Sequence, residues 1–227
     1  MIEWILENKE LIKIVYGLII GLMCFFIVLR VDRIFRLSLH QGIRYLRNAF
    51  FFYGLAFIFR YLIGGLIVYG YLNSVFYIWT KIFFEFFLVM AGFCLLYSLL
   101  WKKLDSDEKY SSSLFNFKMA IFYLIALMVV VLDFIWNSFY FLFFSQILLF
   151  LFMTGISFSN YVQKKRNGKF LKYYFVAMIL SFVVWILNAI ASIYLNWNPM
   201  ILISIYLLNS IIFLLFLFGV VIVTRRN

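Results

Sequence analysis

The chain has 227 residues, of which 67% are hydrophobic and 13% are charged, and its mean hydropathy is +1.05. A soluble domain is roughly half apolar and about a quarter charged, so this composition excludes a soluble globule and indicates a helical protein in lipid. The net charge of +11 does not indicate nucleic-acid binding, because the basic residues lie in separate gaps between apolar runs and form no single patch.

Seven apolar runs are long enough to cross a bilayer, which needs about 20 mainly apolar residues. The predicted spans are about 11–29, 48–69, 75–100, 119–136, 139–162, 171–195 and 200–223. From 119 to 163 the only charged residue is Asp133. One helix of that length would be about twice the hydrocarbon thickness, so we expect the chain to fold back at Trp136, Asn137 and Ser138.

These helices and their short connections predict an all-α protein with a single seven-helix membrane domain over residues 1–227. Sixteen of the twenty basic residues lie in every second gap between the spans and at the end of the chain. These are Arg30, Arg33, Arg36, Arg44, Arg47, Lys102, Lys103, Lys109, Lys118, Lys164, Lys165, Arg166, Lys169, Lys172, Arg225 and Arg226. Because cytoplasmic loops are enriched in Lys and Arg, the N-terminus is predicted on the outer side and the C-terminus on the cytoplasmic side of the membrane, which is predicted to be the cytoplasmic (inner) membrane. A cytoplasmic partner would bind at these basic loops.

Short matches relate the second and third spans to the sixth and seventh. Residues 44–47 correspond to 169–172 where spans two and six begin, and 71–73 correspond to 194–196 where they end. The matches favour a repeat of three helices, one linker and three helices, which is the plan of one class of transporter. Topology alone imposes part of this pattern, since alternate helix ends need basic residues, so both interpretations stay open.

Charged residues inside the spans are the strongest functional signal, because a charge at the bilayer centre costs about 2.5–3.5 kcal/mol even on insertion scales. At 1.5 Å per residue, Arg60, Lys81 and Glu85 lie roughly 15, 10 and 16 Å below the outer surface. We therefore expect Arg60 and Glu85 to be partners. Lys81 and Glu85 are four residues apart and can also pair on one helical face. Asp133 is shallower, about one turn from its helix end.

Uncharged polar residues at similar depth extend this set on the fifth, sixth and seventh spans. The sequence predicts a polar ligand-binding pocket in the outer half of the membrane, lined by Arg60, Lys81, Glu85, Gln146, Trp185, Asn188 and Asn209. The alternative is structural, because buried amides often only join neighbouring helices, at about 0.6 kcal/mol each. A buried charge pair can likewise do no more than neutralise itself.

The sequence contains no pattern that indicates catalysis. His40, Cys24 and Cys94 supply no ligand set for zinc, haem or an iron–sulfur cluster, and no phosphate loop, nucleophile elbow or dinucleotide fingerprint is present. We therefore expect no enzyme, no metal and no cofactor. The favoured function is a sensor-like or receptor-like membrane protein that binds a small polar or anionic ligand or an ion. The alternatives are a small-solute transporter on the repeat plan and a structural or assembly subunit.

Overall fold

The computed structural model describes residues 8–38, 41–70, 73, 75–104, 117–163, 169–195 and 198–224. All secondary-structure elements of these residues are helices. The elements are α1 (Lys9–Ser38), α2 (Gln41–Phe57), a π-helix (Ile58–Ile63), α3 (Gly64–Val68), α4 (Val75–Leu104), α5 (Phe117–Ile135), α6 (Tyr140–Gln163), α7 (Lys169–Ile193) and α8 (Pro199–Thr224). Because α2, the π-helix and α3 follow one another without a break, they form one rod. Outside the described residues lie His40, Lys109, Lys164, Lys165, Arg166, Arg225 and Arg226, and also residues 71–72 and 196 of the proposed repeat.

Six of the described helical segments are long and apolar enough to cross a membrane, and α5 adds a shorter apolar helix, Met119–Ile135. Many of their large apolar side chains point away from the protein. Phe144, Leu207 and Phe25 are 68%, 62% and 56% exposed. An apolar surface this extensive is stable against lipid and would aggregate in water. The protein is therefore a helical, multi-pass integral membrane protein.

Within the described residues, six helical rods close into a ring. Around the ring, α1 packs on the rod α2–α3, and the rod packs on α4. Next, α4 packs on α6, α6 on α7, α7 on α8, and α8 on α1. Helix α5 packs against α4 and α6, and because those two helices also touch each other, α5 lies outside the ring. A ring of this kind leaves space along its axis for a site.

The two ends of the bundle are filled differently. Near the end where α8 terminates, the ring centre is packed with aromatic side chains. The ring of Phe50, which is fully buried, lies 6.1 Å from the ring of Phe213 and 5.0 Å from that of Phe216, and the rings of Tyr174 and Phe216 are 5.6 Å apart. We call this end the closed end. At the opposite end, where α1 and α8 begin, the ring centre is open, and we call it the open end.

A tight turn joins α5 to α6 at the open end, at residues 136–139. Asn137 adopts a positive φ of 46°, which asparagine tolerates better than most residues. Asp133, at 0% exposure, caps the next helix. Its carboxylate accepts hydrogen bonds from the backbone N–H groups of Phe141 (3.0 Å) and Leu142 (2.8 Å). The membrane-embedded charge at Asp133 therefore has a structural role at the start of α6.

At the closed end, a single carboxylate joins α1 to α2. The guanidinium groups of Arg36 and Arg47 both donate hydrogen bonds to Asp32, at 2.9 Å and 2.5 Å. Arg47 also lies over the ring of Phe35, 5.7 Å from its centroid. Arg47 thus joins α2 to α1 through Asp32, whereas Arg36 pairs with the same carboxylate within α1.

Candidate ligand-binding site

The open end of the ring contains a cavity of about 520 Å³, here called the upper cavity. Its walls come from α1, the rod, α4, the start of α6, α7 and α8. The polar lining residues are Lys9, Glu10, Lys13, Arg60, Tyr61, Tyr77, Thr80, Lys81, Asn188, Tyr206 and Asn209. Small-molecule sites occupy about 300–1,000 Å³, so this cavity is large enough for a small ligand.

The upper cavity is lined by four basic residues: Lys9, Lys13, Arg60 and Lys81. The chain has twenty Lys and Arg residues, and subtracting the sixteen in the alternating gaps leaves these same four. The sequence prediction included Arg60 and Lys81 but not Lys9 and Lys13. The position of Lys9 and Lys13 outside the basic gaps would have been enough to identify them. Among the described residues, one carboxylate lines the cavity, that of Glu10, which pairs with Lys13 at 2.7 Å. The lining is therefore strongly cationic.

Arg60 lies within the π-helix, a rare conformation that often marks functional sites. Its guanidinium lies over two rings, 4.9 Å from the centroid of Phe84 and 5.3 Å from that of Phe139. Within the described residues, no carboxylate oxygen is within 4.0 Å of it. The predicted ion pair between Arg60 and Glu85 is thus absent, because the aromatic faces hold the guanidinium instead.

Glu85 is paired with Lys81, its neighbour one turn away on α4. The Lys81 ammonium lies 4.0 Å from the Glu85 carboxylate and 4.5 Å from the ring centroid of Phe139. Glu85 is 1% exposed, and its Oε1 accepts no hydrogen bond from a described residue. A separation of 4.0 Å is too long for a hydrogen bond, so this carboxylate is only partly neutralised and can accept a further donor.

The other predicted site residues divide into two groups. Trp185, Asn188 and Asn209 line the upper cavity, whereas Glu85 and Gln146 line neither of the cavities described here. Gln146 is fully buried, and its amide nitrogen donates to the Leu88 carbonyl at 3.4 Å. That contact joins α6 to α4, which agrees with the structural alternative for this residue.

A second cavity of about 80 Å³, the lower cavity, lies next to the upper one on the side of the closed end. The two cavities share five lining residues, Tyr61, Phe84, Trp185, Asn188 and Asn209, which we call the shared layer. The remaining walls of the lower cavity are formed by Tyr16, Tyr53, Phe57, Leu88, Phe150, Ser181, Ile212, Phe213 and Phe216. The site is therefore a wide cationic chamber above a narrow aromatic one.

A tyrosine cluster connects α1, the π-helix and α8 at the boundary between the cavities. The rings of Tyr16 and Tyr206 are stacked with centroids 4.1 Å apart, and Tyr61 meets Tyr16 edge-on at 5.1 Å. Gly17 makes this arrangement sterically allowed, because a Cβ at that position would overlap the Cβ of Tyr61. Close packing of α1 on the π-helix thus requires glycine there.

Comparisons with protein-family models, with curated proteins and with solved structures found no match to this chain. The functional interpretation therefore depends on the geometry and charge of the cavities. In the part of the chain that the structure describes, no three His, Cys, Asp or Glu side chains are grouped so that they could hold a metal ion. The walls instead offer ammonium and guanidinium donors, amide groups and aromatic faces, which are groups suited to binding an anion.

Proposed function

We propose that the protein is a seven-span, receptor-like membrane protein that binds a small anionic ligand in the upper cavity. The observation that carries the proposal is that all four basic residues outside the alternating gaps line this one cavity. Three of the four, Lys13, Arg60 and Lys81, lie within the predicted spans, where basic residues are costly and are retained where they meet a ligand, a counter-ion or a conduction path. Following the positive-inside bias, we place the open end at the outer face of the cytoplasmic (inner) membrane and the closed end at its cytoplasmic face.

Charge balance supports an anion over a neutral or cationic ligand. Lys13 is paired with Glu10 and Lys81 with Glu85. Lys9 and Arg60 have no carboxylate within 4.0 Å in the described part of the chain. Among the described residues, two positive charges therefore remain without an ion pair. That of Lys9 is exposed, whereas that of Arg60 is half-buried between aromatic rings, where its attraction for an anion is stronger than it would be in water.

Receptor-like behaviour is supported by the aromatic packing of the closed end. Phe50, Phe213 and Phe216 pack together at the ring centre below the lower cavity, so among the described residues aromatic side chains separate the cavities from the closed end. Binding would instead be relayed by helix movement. The basic loops at the closed end would supply the surface for a cytoplasmic partner.

Binding of simple anions to the purified protein in lipid nanodiscs tests the proposal. We expect phosphate, sulfate and acetate to raise the unfolding temperature, because a ligand that binds only the folded state stabilises it. Choline and glucose should cause no shift. The anion effect should shrink when the ionic strength rises from about 0.01 to 1 M, as the Debye length falls from about 30 to 3 Å. Equal shifts with choline, or none with any anion, would contradict the proposal.

A small-solute transporter is the second candidate, and the order of the helices around the ring favours it. In the first half of the chain, α1 packs on α2 and α2 on α4; in the second half, α6 packs on α7 and α7 on α8 in the same order. The two halves meet where α4 packs on α6 and, equivalently, where α8 packs on α1. A twofold relation between two three-helix units would produce this order. A purely structural subunit needs no cavity, so the upper cavity is an argument against that alternative.

Uptake into proteoliposomes distinguishes the two candidates. A transporter should accumulate the anion that binds. Glu85→Gln should reduce uptake at least tenfold, because it removes a buried charge. Binding should persist, because Glu85 lies outside the cavity lining. Asp32→Asn, which changes a carboxylate at the closed end, is the matched control and should retain uptake. A receptor would bind the anion with uptake no greater than that of protein-free liposomes.

A further inference from the structure

We propose that the ligand is an elongated dianion, with one anionic group bound by Arg60 and Lys81 and the other by Lys9 and Lys13. The two groups lie at different depths of the upper cavity, one within the bundle and one at the mouth. This inference rests on the proposed function and names the chemical class of its ligand.

Arg60 and Lys81 form the lower of two cationic levels in the upper cavity, here called the deep level. The guanidinium of Arg60 and the ammonium of Lys81 both lie against the ring of Phe139, 5.3 Å and 4.5 Å from its centroid. Both residues also line the cavity. One aromatic side chain therefore holds two cations from different helical elements beside the same space, which suits them to a single anionic group.

The packing of α1 on the rod shows which part of α1 lies at the depth of Arg60. A Cβ built on Gly54 would lie 3.3 Å from the Cβ of Cys24, and a Cβ on Gly17 would overlap the side chain of Tyr61. Position 24 of α1 thus lies beside position 54 of the rod, and position 17 beside position 61, so the two elements run antiparallel. In this register position 18 of α1 lies at the depth of Arg60.

Lys9 and Lys13 form the upper cationic level, here called the mouth level. Lys13 lies five residues and Lys9 nine residues before position 18, which corresponds to about 8 Å and about 14 Å at 1.5 Å per residue. Both line the upper cavity. Their flexible stems shorten this gap, but a compact anion at the deep level does not reach them.

Each level keeps one cation without an ion pair among the described residues. At the deep level this is Arg60, and at the mouth level it is Lys9, since the Glu10 carboxylate lies 2.7 Å from the Lys13 ammonium. A monoanion at the deep level would leave the charge of Lys9 unmatched. Two separated cations are best complemented by two separated anionic groups on one ligand.

Heptanedioate tests the inference with the protein in nanodiscs, because its carboxylates lie about 7 Å apart at the rise per bond of an extended chain. Its monoamide replaces one carboxylate by a neutral group of the same size, and propanedioate keeps both charges on a shorter chain. By titration calorimetry at about 0.1 M salt, where the Debye length is about 10 Å, heptanedioate should bind about two- to fivefold more tightly than either, the effect of an exposed ion pair.

Two variants at the mouth level should change this preference in opposite directions. Lys9→Gln should reduce the advantage of heptanedioate over its monoamide to less than twofold. Glu10→Gln should increase the advantage, because it releases the Lys13 ammonium from its ion pair. Neither variant should change the affinity for the monoamide by more than twofold. Arg33→Gln, which removes one exposed positive charge near the closed end, is the matched control for Lys9→Gln and should keep the full preference.

Each contrary outcome has its own meaning. If the monoamide or propanedioate binds as tightly as heptanedioate, the ligand does not span the two levels, and the inference is overturned while the anion site stands. If Glu10→Gln leaves the preference unchanged, the second group does not bind at the mouth level, which also overturns the inference. If none of the three compounds binds, the proposed function itself fails. The wild-type series does not depend on the folding of a variant.

Discussion

Replacing Arg60 with glutamine is expected to weaken anion binding by about ten- to a hundredfold, the largest loss among the four basic residues of the upper cavity. Hydrogen bonds to charged groups contribute about 1.5–3 kcal/mol, and each 1.4 kcal/mol corresponds to a tenfold change in affinity. Arg60 is held by the rings of Phe84 and Phe139 and has no carboxylate within 4.0 Å in the described residues. Lys13, which is already paired with Glu10, should matter less.

Titration calorimetry in nanodiscs at low salt would measure this loss. Arg33→Gln makes the same chemical change at an exposed position on α1 near the closed end and should leave affinity unchanged. Arg60→Lys should give an intermediate affinity, because lysine keeps the charge but lacks the planar fork of five donors. Wild-type affinity in Arg60→Gln would place the anion elsewhere.

The membrane fold was the most predictable property, because it depends on summed hydropathy over long windows. The sequence prediction of a helical membrane protein is confirmed by the six long apolar helices and one shorter one in the described part of the chain. The shorter helix, α5, ends at Ile135 just before Asn137, whose positive φ turns the chain into α6. Local turn chemistry of this kind can be read from the sequence. The number of helices that cross the membrane and their orientation stay predictions.

The partner of Arg60 could not be predicted from depth alone. Depth arithmetic assumes a regular α-helix, in which Arg60 and Glu85 lie at the same level. The segment Ile58–Ile63 is a π-helix, whose wider turn changes the direction of each side chain relative to that assumption. The conformation depends on tertiary contacts such as that of Gly17 with Tyr61, which involve residues distant in sequence.

Polar residues of the same type also have different roles that sequence depth does not distinguish. Gln146 and Asn188 lie at similar predicted depth, yet Gln146 donates to the Leu88 carbonyl on a neighbouring helix while Asn188 lines both cavities. Which role a residue takes depends on the rotation of its helix within the ring. Lys9 and Lys13, in contrast, could have been predicted, because their exclusion from the basic gaps is visible in the sequence.

The replacement of Asp133 by alanine is expected to lower the free energy of unfolding by about 2–4 kcal/mol without changing anion affinity. Its carboxylate accepts from two backbone N–H groups at the start of α6 and lies 3.3 Å from the Ser138 hydroxyl. Loss of a helix cap costs about 0.5–2 kcal/mol, and each buried donor left without a partner costs about 1–3 kcal/mol. Unfolding by sodium dodecyl sulfate in mixed micelles would measure the change.

Two further variants separate this structural role from a role in binding. Asp133→Asn retains one acceptor oxygen and should lose roughly half as much stability, whereas Ser138→Ala removes only the longest of the three contacts and should lose least. If Asp133→Ala kept wild-type stability but weakened anion binding, the carboxylate would belong to the site. The expected result assigns the Asp133 carboxylate to the turn between α5 and α6, and so separates it from the charges of the proposed anion site.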